Sequence, residues 1–225
     1  MAPDAGMAGL TDYPVNLILS GRRCLVLGGG SVAERKAESL LAAGADVTVI
    51  SPELTAKLAL WAKQGGLRHV GRQYRGGDAA GYRLVLCATD SAAVNEQAAR
   101  EARQFGALVN VADAPELCDF TLPARLQRGS LSVAVSTGGQ SPALARELRN
   151  ELAKHLGPEY AEYLEIAGRL RREWRESCAS SDERCRRWDG LKGFDPEVLE
   201  LLRQGRKEEA EVRFRHGIGC PGTQS

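Results

Sequence analysis

Three groups of residues in this chain have the types and spacing to do chemistry. The first is Gly28-x-Gly30-x-x-Ala33, inside the run Cys24-Leu-Val-Leu-Gly-Gly-Gly-Ser-Val-Ala-Glu-Arg-Lys36. A glycine turn between a buried strand and a helix seats the pyrophosphate of a dinucleotide. Gly28 permits the tight turn, Gly30 lets the anion approach the backbone, and Ala33 lets the helix lie close on the strand. The N–H groups at the helix start, around Ser31 and Val32, face the anion with the positive end of the helix dipole behind them. The bland alternative is a turn and nothing more. The second group is Asp113, just past an apolar run, where a carboxylate could accept a proton or could only cap the Ala114-Pro115 turn. The third is Ser136-Thr137-Gly138-Gly139-Gln140-Ser141-Pro142, with hydroxyls and backbone N–H groups ahead of a helix. Such a loop suits a carboxylate. Arg125, Arg128, Arg146 and Arg149 are candidate charge partners, although a solvated face is the plainer role for any one of them.

The elements that must position these groups are legible along the chain. Cys24–Leu27 reads as a buried strand, followed by a helix with Val32, Ala33, Ala37, Leu40 and Leu41 on one face and a stop at Gly44. Asp46–Ile50 is the second strand, so the unit closes in about 27 residues. Ser51 is the expected N-cap and Pro52 the first residue of a helix running to about Gln64. Leu67–Val70, Arg83–Ala88 and Ala107–Val111 are further strands, with a loop at 73–82 and a helix at 92–105. Strands alternating with helices predict an α/β, doubly wound parallel sheet of Rossmann type. In such a sheet the ligand sits at the carboxyl ends of the strands. Gly28, Gly29, Gly30, Ser31, Val32, Ser51, Pro52, Glu53, Thr89 and Asp90 are therefore the expected cofactor-binding set, with Asn110 to Asp113 closing the far side. The apolar residues of Tyr13–Leu19 are expected to cap the sheet.

The character changes after Pro115. Two strands are expected between Phe120 and Ser136 around a turn at Arg128-Gly129, then a helix with Ser141 as N-cap and Leu144, Leu148 and Leu152 at four-residue spacing. Beyond Gly157-Pro158 the chain becomes helical and charged, and the stripe Tyr160, Tyr163, Leu164, Ala167, Leu170 and Trp174 reads as core or interface. Shorter helices follow to about Phe214, and 216–225 reads as a frayed tail. The expected division is a nucleotide-binding domain at 1–116, a small β/α dimerisation and substrate segment at 117–155, and a helical C-terminal part at 156–225.

Composition narrows the classes. A formal charge of +1 gives no field favouring nucleic acid or an anionic membrane, and no apolar run approaches the roughly 18 residues a membrane span needs. Residues 1–12 lack the charged flank and apolar heart of a signal peptide and read as a loose arm. The six cysteines form no C-x-x-C pair, and His69, His155 and His216 belong to no ligand cluster, so no metal site is expected. Cys24 and Cys87 fall in buried strands, while Cys178 and Cys185 could share a helix face. The reading is a reduced, cytoplasmic protein.

Four stretches together resemble one family: 24–46, Ala88-Thr89-Asp90 with Asn95, Val109-Asn-Val-Ala-Asp113-Ala-Pro115, and Val135-Ser-Thr-Gly-Gly-Gln-Ser-Pro-Ala-Leu-Ala-Arg146. Over residues 13–175 the chain resembles the precorrin-2 dehydrogenases, the dehydrogenase part of sirohaem synthase. With no methyltransferase segment following, it is similar to the stand-alone form. The resemblance implies oxidation of precorrin-2 to sirohydrochlorin with NAD taking the hydride. It also implies a homodimer whose middle segment exchanges contacts and a helical part that covers the tetrapyrrole. Asp113 matches the family's catalytic aspartate and is the expected general base. Ser136, Thr137, Gly138, Gly139, Ser141 and Arg146 are the expected seat for the substrate's carboxylates.

One departure concerns the ribose. The usual acidic residue at the end of the second strand is absent, Ile50-Ser51 standing there instead, and Glu53 could reach the hydroxyls or merely favour a helix start. No arginine follows for a 2′-phosphate, which favours NAD over NADP. Some members also insert iron into the product, and the residues leave that second activity open. Two other readings compete: a non-catalytic NAD-sensing dimeric module, and a dehydrogenase for a small substrate. The second anion-binding loop weighs against the sensor, and the lack of a lysine or histidine acid–base pair near the crevice weighs against the small-substrate enzyme.

Overall fold

Four short apolar runs and a polar edge strand pair side by side in one direction, the apolar runs needing helices on both faces. They are β1 (Arg23–Leu27), β2 (Asp46–Ile50), β3 (Arg68–Val70), β4 (Leu84–Cys87) and β5 (Leu108–Val111), in the order β3-β2-β1-β4-β5. The computed structural model describes residues 12–177 and 195–217. It divides into two compact units, Met1–Leu122 and Pro123–Ser225.

In the first unit the register brings the strand ends level. Leu27 pairs with Ile50 on one side and with Cys87 on the other, and Cys87 pairs with Val111. Helices α1 (Ser31–Ala42) and α2 (Ala56–Lys63) bury Ala33, Ala37, Leu40 and Leu58 against Cys24, Val26, Val47 and Val49. Helix α3 (Ala92–Gln104) buries Ala98, Ala99 and Ala102 on the opposite face, against Leu25, Leu27, Val85 and Val109. This is the doubly wound parallel sheet the alternation predicts. The β3–β4 crossover has no helix, and Ala79 and Tyr82 fill that part of the α3 face.

Two expectations fail here. The second helix does not start at Ser51-Pro52 but at Ala56, with Thr55 as its N-cap accepting from the Leu58 N–H at 3.3 Å. The glycine turn causes this: the Thr55 N–H donates to the Gly29 carbonyl at 2.9 Å, and the Thr55 hydroxyl donates to Glu34 at 2.5 Å. Residues 51–55 are thereby held as a loop beside the turn. The run Tyr13–Leu19 does not cap the sheet either. Tyr13, Val15, Leu17 and Ile18 stay exposed and Leu19 alone of this run packs on the core, since α1 and α2 already cover that face.

In the second unit β6 (Ala124–Arg128) and β7 (Leu131–Val135) form an antiparallel hairpin. The first strand begins at Ala124 rather than near Phe120, because Pro123 has no N–H for a ladder and the Phe120 carbonyl is taken by Asn110 at 2.9 Å. Helices α4 (Pro142–His155), α5 (Glu159–Ser177), α6 (Pro196–Arg203) and α7 (Lys207–Gly217) follow. Ile166 and Leu170 pack with Val198, Leu202, Ala210 and Phe214, and the Tyr163 and Phe214 rings lie 4.9 Å apart. Tyr163, Ala167 and Leu170 of the α5 stripe thus belong to this core, with Ile166 as a member not read from the sequence. The final helix runs on through His216 rather than fraying there. Cys178, Cys185 and Cys220 lie outside the described residues.

Candidate functional site

At the level strand ends of the first unit lies a cleft of about 740 Å³. Gly28 occupies a left-handed backbone conformation (φ 106°), and a Cβ there would stand 2.2 Å from the Ala88 carbonyl oxygen. Gly29 is tighter still: its Cβ would meet the Glu53 carbonyl oxygen at 1.8 Å. The turn is thus wedged between the ends of β2 and β4, and only glycine fits. A Cβ at Gly30, by contrast, would meet nothing within 4 Å. That is the open ground an approaching pyrophosphate needs, directly ahead of the N–H groups of α1.

All ten residues of the expected cofactor set line this cleft: Gly28, Gly29, Gly30, Ser31, Val32, Ser51, Pro52, Glu53, Thr89 and Asp90. Ser51 is buried and its carbonyl bonds the His69 ring at 2.9 Å, while Glu53 is exposed. Thr89 is fixed by the buried Asn95, whose amide accepts from the Thr89 hydroxyl at 2.7 Å and donates to the Thr89 carbonyl at 2.9 Å. The residues present fit a dinucleotide.

Sequence reasoning missed the wall made by Gln73 and Tyr74. Tyr74 is held by a hydrogen bond from its hydroxyl to Glu101 at 2.6 Å, and Glu101 also accepts from the Gly77 N–H at 2.9 Å. These contacts hold the Glu101 carboxyl below its ordinary range, the tyrosine hydroxyl foremost. Burial first, and then Glu101, raises the Tyr74 phenol above its usual range. Arg72 grips Asp78 through two bonds of 2.6 and 2.9 Å and depresses its acidity range likewise. The only sequence signal was a glycine-rich loop flanked by Arg72 and Asp78, which says turn but not cleft.

Asp113 is not among the cleft-lining residues. It stands past the end of β5, exposed, with φ 59°, a left-handed conformation that aspartate tolerates better than most residues. Its loop is closed by Cys118, whose thiol accepts from the Val111 N–H at 3.2 Å and donates to the Ala114 carbonyl at 3.4 Å. Asp119 adds a bond from the Val109 N–H at 2.8 Å and an ion pair with Arg103 at 2.8 Å. The short 3₁₀ turn Pro115–Leu117 takes no side-chain cap. Among the described residues no hydrogen bond or ion pair ties the Asp113 carboxylate, so it is not engaged as a turn cap.

In the second unit the Ser136–Ser141 loop is partly self-satisfied. The Ser136 hydroxyl accepts from Gly138 N–H at 3.2 Å, the Thr137 hydroxyl from Ser141 N–H at 3.1 Å, and the Ser141 hydroxyl from Leu144 N–H at 3.3 Å. Gly138 and Gly139 carry the positive φ values the loop requires. These three N–H groups are therefore not free for an anion, contrary to expectation, whereas the hydroxyl protons remain to donate outward. Arg146 is exposed. Arg128 instead caps α4, donating to the Leu156 carbonyl at 2.9 Å.

Among the described residues there is no group of His, Cys, Asp and Glu able to hold a metal ion, and no helix long and apolar enough to cross a membrane. Cys24, Cys87 and Cys118 are free thiols.

Comparison with known proteins agrees with this geometry. Residues 15–124 match the family described as "Putative NAD(P)-binding", and residues 128–155 match the sirohaem biosynthesis protein central family. A siroheme synthase of Methylococcus capsulatus is 41% identical over 201 residues, which is 89% of this chain and 42% of that protein. One from Pseudomonas aeruginosa is 39% identical over 193 residues, 86% of this chain and 41% of the relative. The chain thus spans about two fifths of the length of these curated relatives. A solved structure of SirC, a precorrin-2 dehydrogenase, superposes with a TM-score of 0.70 at 28% identity, covering 92% of this chain and 98% of that one. A nucleotide-binding segment is followed here by a sirohaem central segment, and over most of its length the chain is similar to siroheme synthases and to a precorrin-2 dehydrogenase.

Proposed function

We propose that this chain is a cytoplasmic, homodimeric dehydrogenase that oxidises precorrin-2 to sirohydrochlorin, with NAD as hydride acceptor. The observation that carries the reading is the likeness to a precorrin-2 dehydrogenase across 98% of that protein's length. When bound, the nicotinamide supplies the acceptor for the hydride that leaves the macrocycle. The chain's own part is to hold the dinucleotide and to receive the proton lost with the hydride.

The glycine turn and the start of α1 bind the pyrophosphate, while Ser51 to Glu53 and Thr89-Asp90 hold the rest of the dinucleotide. Glu53 accepts from ribose hydroxyls, and the cleft lining contains no arginine or lysine for a 2′-phosphate, which supports NAD over NADP. Asp113 takes the proton: its carboxylate is exposed and otherwise unbonded, as a base must be. The hydroxyls of Ser136, Thr137 and Ser141, the glycines between them and Arg146 serve the substrate's carboxylates. A second copy covers α4, whose Leu144, Leu148 and Leu152 are 46, 44 and 37% exposed. Buried free thiols fit a reducing compartment.

The test is anaerobic incubation with precorrin-2 and either NAD or NADP, following the absorbance of the reduced nucleotide. Turnover with a clear preference for NAD is expected. Nucleotide binding with no turnover of precorrin-2 would overturn the reading.

A further inference from the structure

Neither nucleotide binding nor the closure of the aspartate loop explains the placement of Lys36. It projects from α1, and its ammonium donates to Asn110 Oδ1 at 2.5 Å, across 74 residues of sequence. Asn110 is 8% exposed and fully engaged, its Nδ2 donating to the Phe120 carbonyl at 2.9 Å and toward Cys118 Sγ at 3.6 Å. It lies on β5 three residues before Asp113. Among the described residues Lys36 has no carboxylate at ion-pair distance. A half-buried cation resting on a neutral amide is unfavourable for folding alone, and such groups concentrate where a charge is used. Burial pulls the ammonium below the ordinary lysine range. The fields of Cys118, Cys87 and Asp113 oppose that pull, and Arg35 adds to it.

We propose that Lys36 is a positioning residue for Asp113: anchored on Asn110, its ammonium pins the carboxyl end of β5 and holds positive charge beside the aspartate loop. The role in proton transfer rests on the dehydrogenase reading. The amide fixes where the loop leaves the sheet, so the left-handed turn at Asp113 starts from a defined point. An arginine could keep the charge but not the compact fit on one amide oxygen.

Two measurements test this. The first is an NMR titration of the Lys36 side chain, ¹³C-labelled in the full chain, with and without Asp113→Asn. Cys118→Ser and Cys87→Ser serve as controls for the thiols that face the same ammonium. Removing the aspartate charge is expected to lower the Lys36 midpoint; an unchanged midpoint overturns the proposal whatever the enzyme does. The second is kinetic. Lys36→Met is expected to lower kcat on precorrin-2 about tenfold, while nucleotide affinity stays within about twofold, and Lys36→Arg is expected to recover part of the loss. Wild-type kcat in Lys36→Met also overturns the proposal. If the wild type lacks turnover altogether, the dehydrogenase reading fails by itself, and the titration still decides whether Lys36 and Asp113 are coupled.

Discussion

The nucleotide cleft and the aspartate loop leave the same edge of the same sheet, yet they are built in opposite ways. The floor of the cleft is made of backbone: Gly28 and Gly29 are pressed against the Ala88 and Glu53 carbonyls, between level strand ends. The aspartate loop is made by side chains, with Cys118 and Asp119 returning to β5 and Lys36 reaching it from α1. Backbone-built sites break all at once when a Cβ is added. Side-chain-built sites lose their geometry bond by bond.

The largest expected effect on nucleotide binding therefore belongs to Gly29→Ala. Its new methyl would have to displace backbone, not a flexible side chain, and overpacking of this kind destabilises by about 1–3 kcal/mol or more. Nucleotide affinity should fall at least about tenfold, equivalent to about 1.4 kcal/mol. Urea unfolding and a fluorescence titration with NADH would measure both. Retained affinity would mean the turn can relax, and the contrast with the loop would collapse.

A smaller effect is expected from Asp119→Ala, which removes the acceptor of the Val109 N–H and the partner of Arg103. An amide left unpaired costs about 1–3 kcal/mol. Because the lost bonds close the aspartate loop and not the cleft, kcat should fall while NADH affinity holds. Equal loss of both would show that the two regions are one cooperative device.

The smallest effect sits on the cleft's side-chain-built wall. Tyr74→Phe deletes one hydrogen bond to Glu101, worth about 1 kcal/mol, and should weaken NADH binding a few-fold. The same wall carries a pH signature. Asp78 and Glu101 have depressed folded-state values, so their stabilisation is fully present above the ordinary carboxylate range of about 4. It is lost as the pH falls through the lower folded-state values. Acid titration of thermal stability should show Tyr74→Phe losing part of that dependence.

The contrast also explains what could be read from the sequence. The cleft was legible because a glycine has no substitute where a turn is wedged between carbonyls, and because alternating apolar runs dictate a parallel sheet. The start of α2 was misread because Thr55 competes with Ser51 as a cap. The winner is set by Gly29 and Glu34, which are distant in sequence. Lys36 was invisible for the same reason: on a helix it reads as a solvated charge, and only the fold brings it to Asn110. At Ser136–Ser141 the hydroxyls and glycines suggested an anion loop, but not that Thr137 and Ser141 already accept from the N–H groups of Ser141 and Leu144. Residue types reveal backbone requirements well, and reveal side-chain partnerships poorly.

The most direct test of the division between binding and proton removal is Asp113→Ala, with NADH affinity and anaerobic oxidation of precorrin-2 measured on the same preparation. If Asp113 is the base and the cleft is independent of it, affinity stays within about twofold while turnover falls by about 10²–10⁴. Turnover near the wild-type rate, or affinity lost in step with turnover, would contradict it.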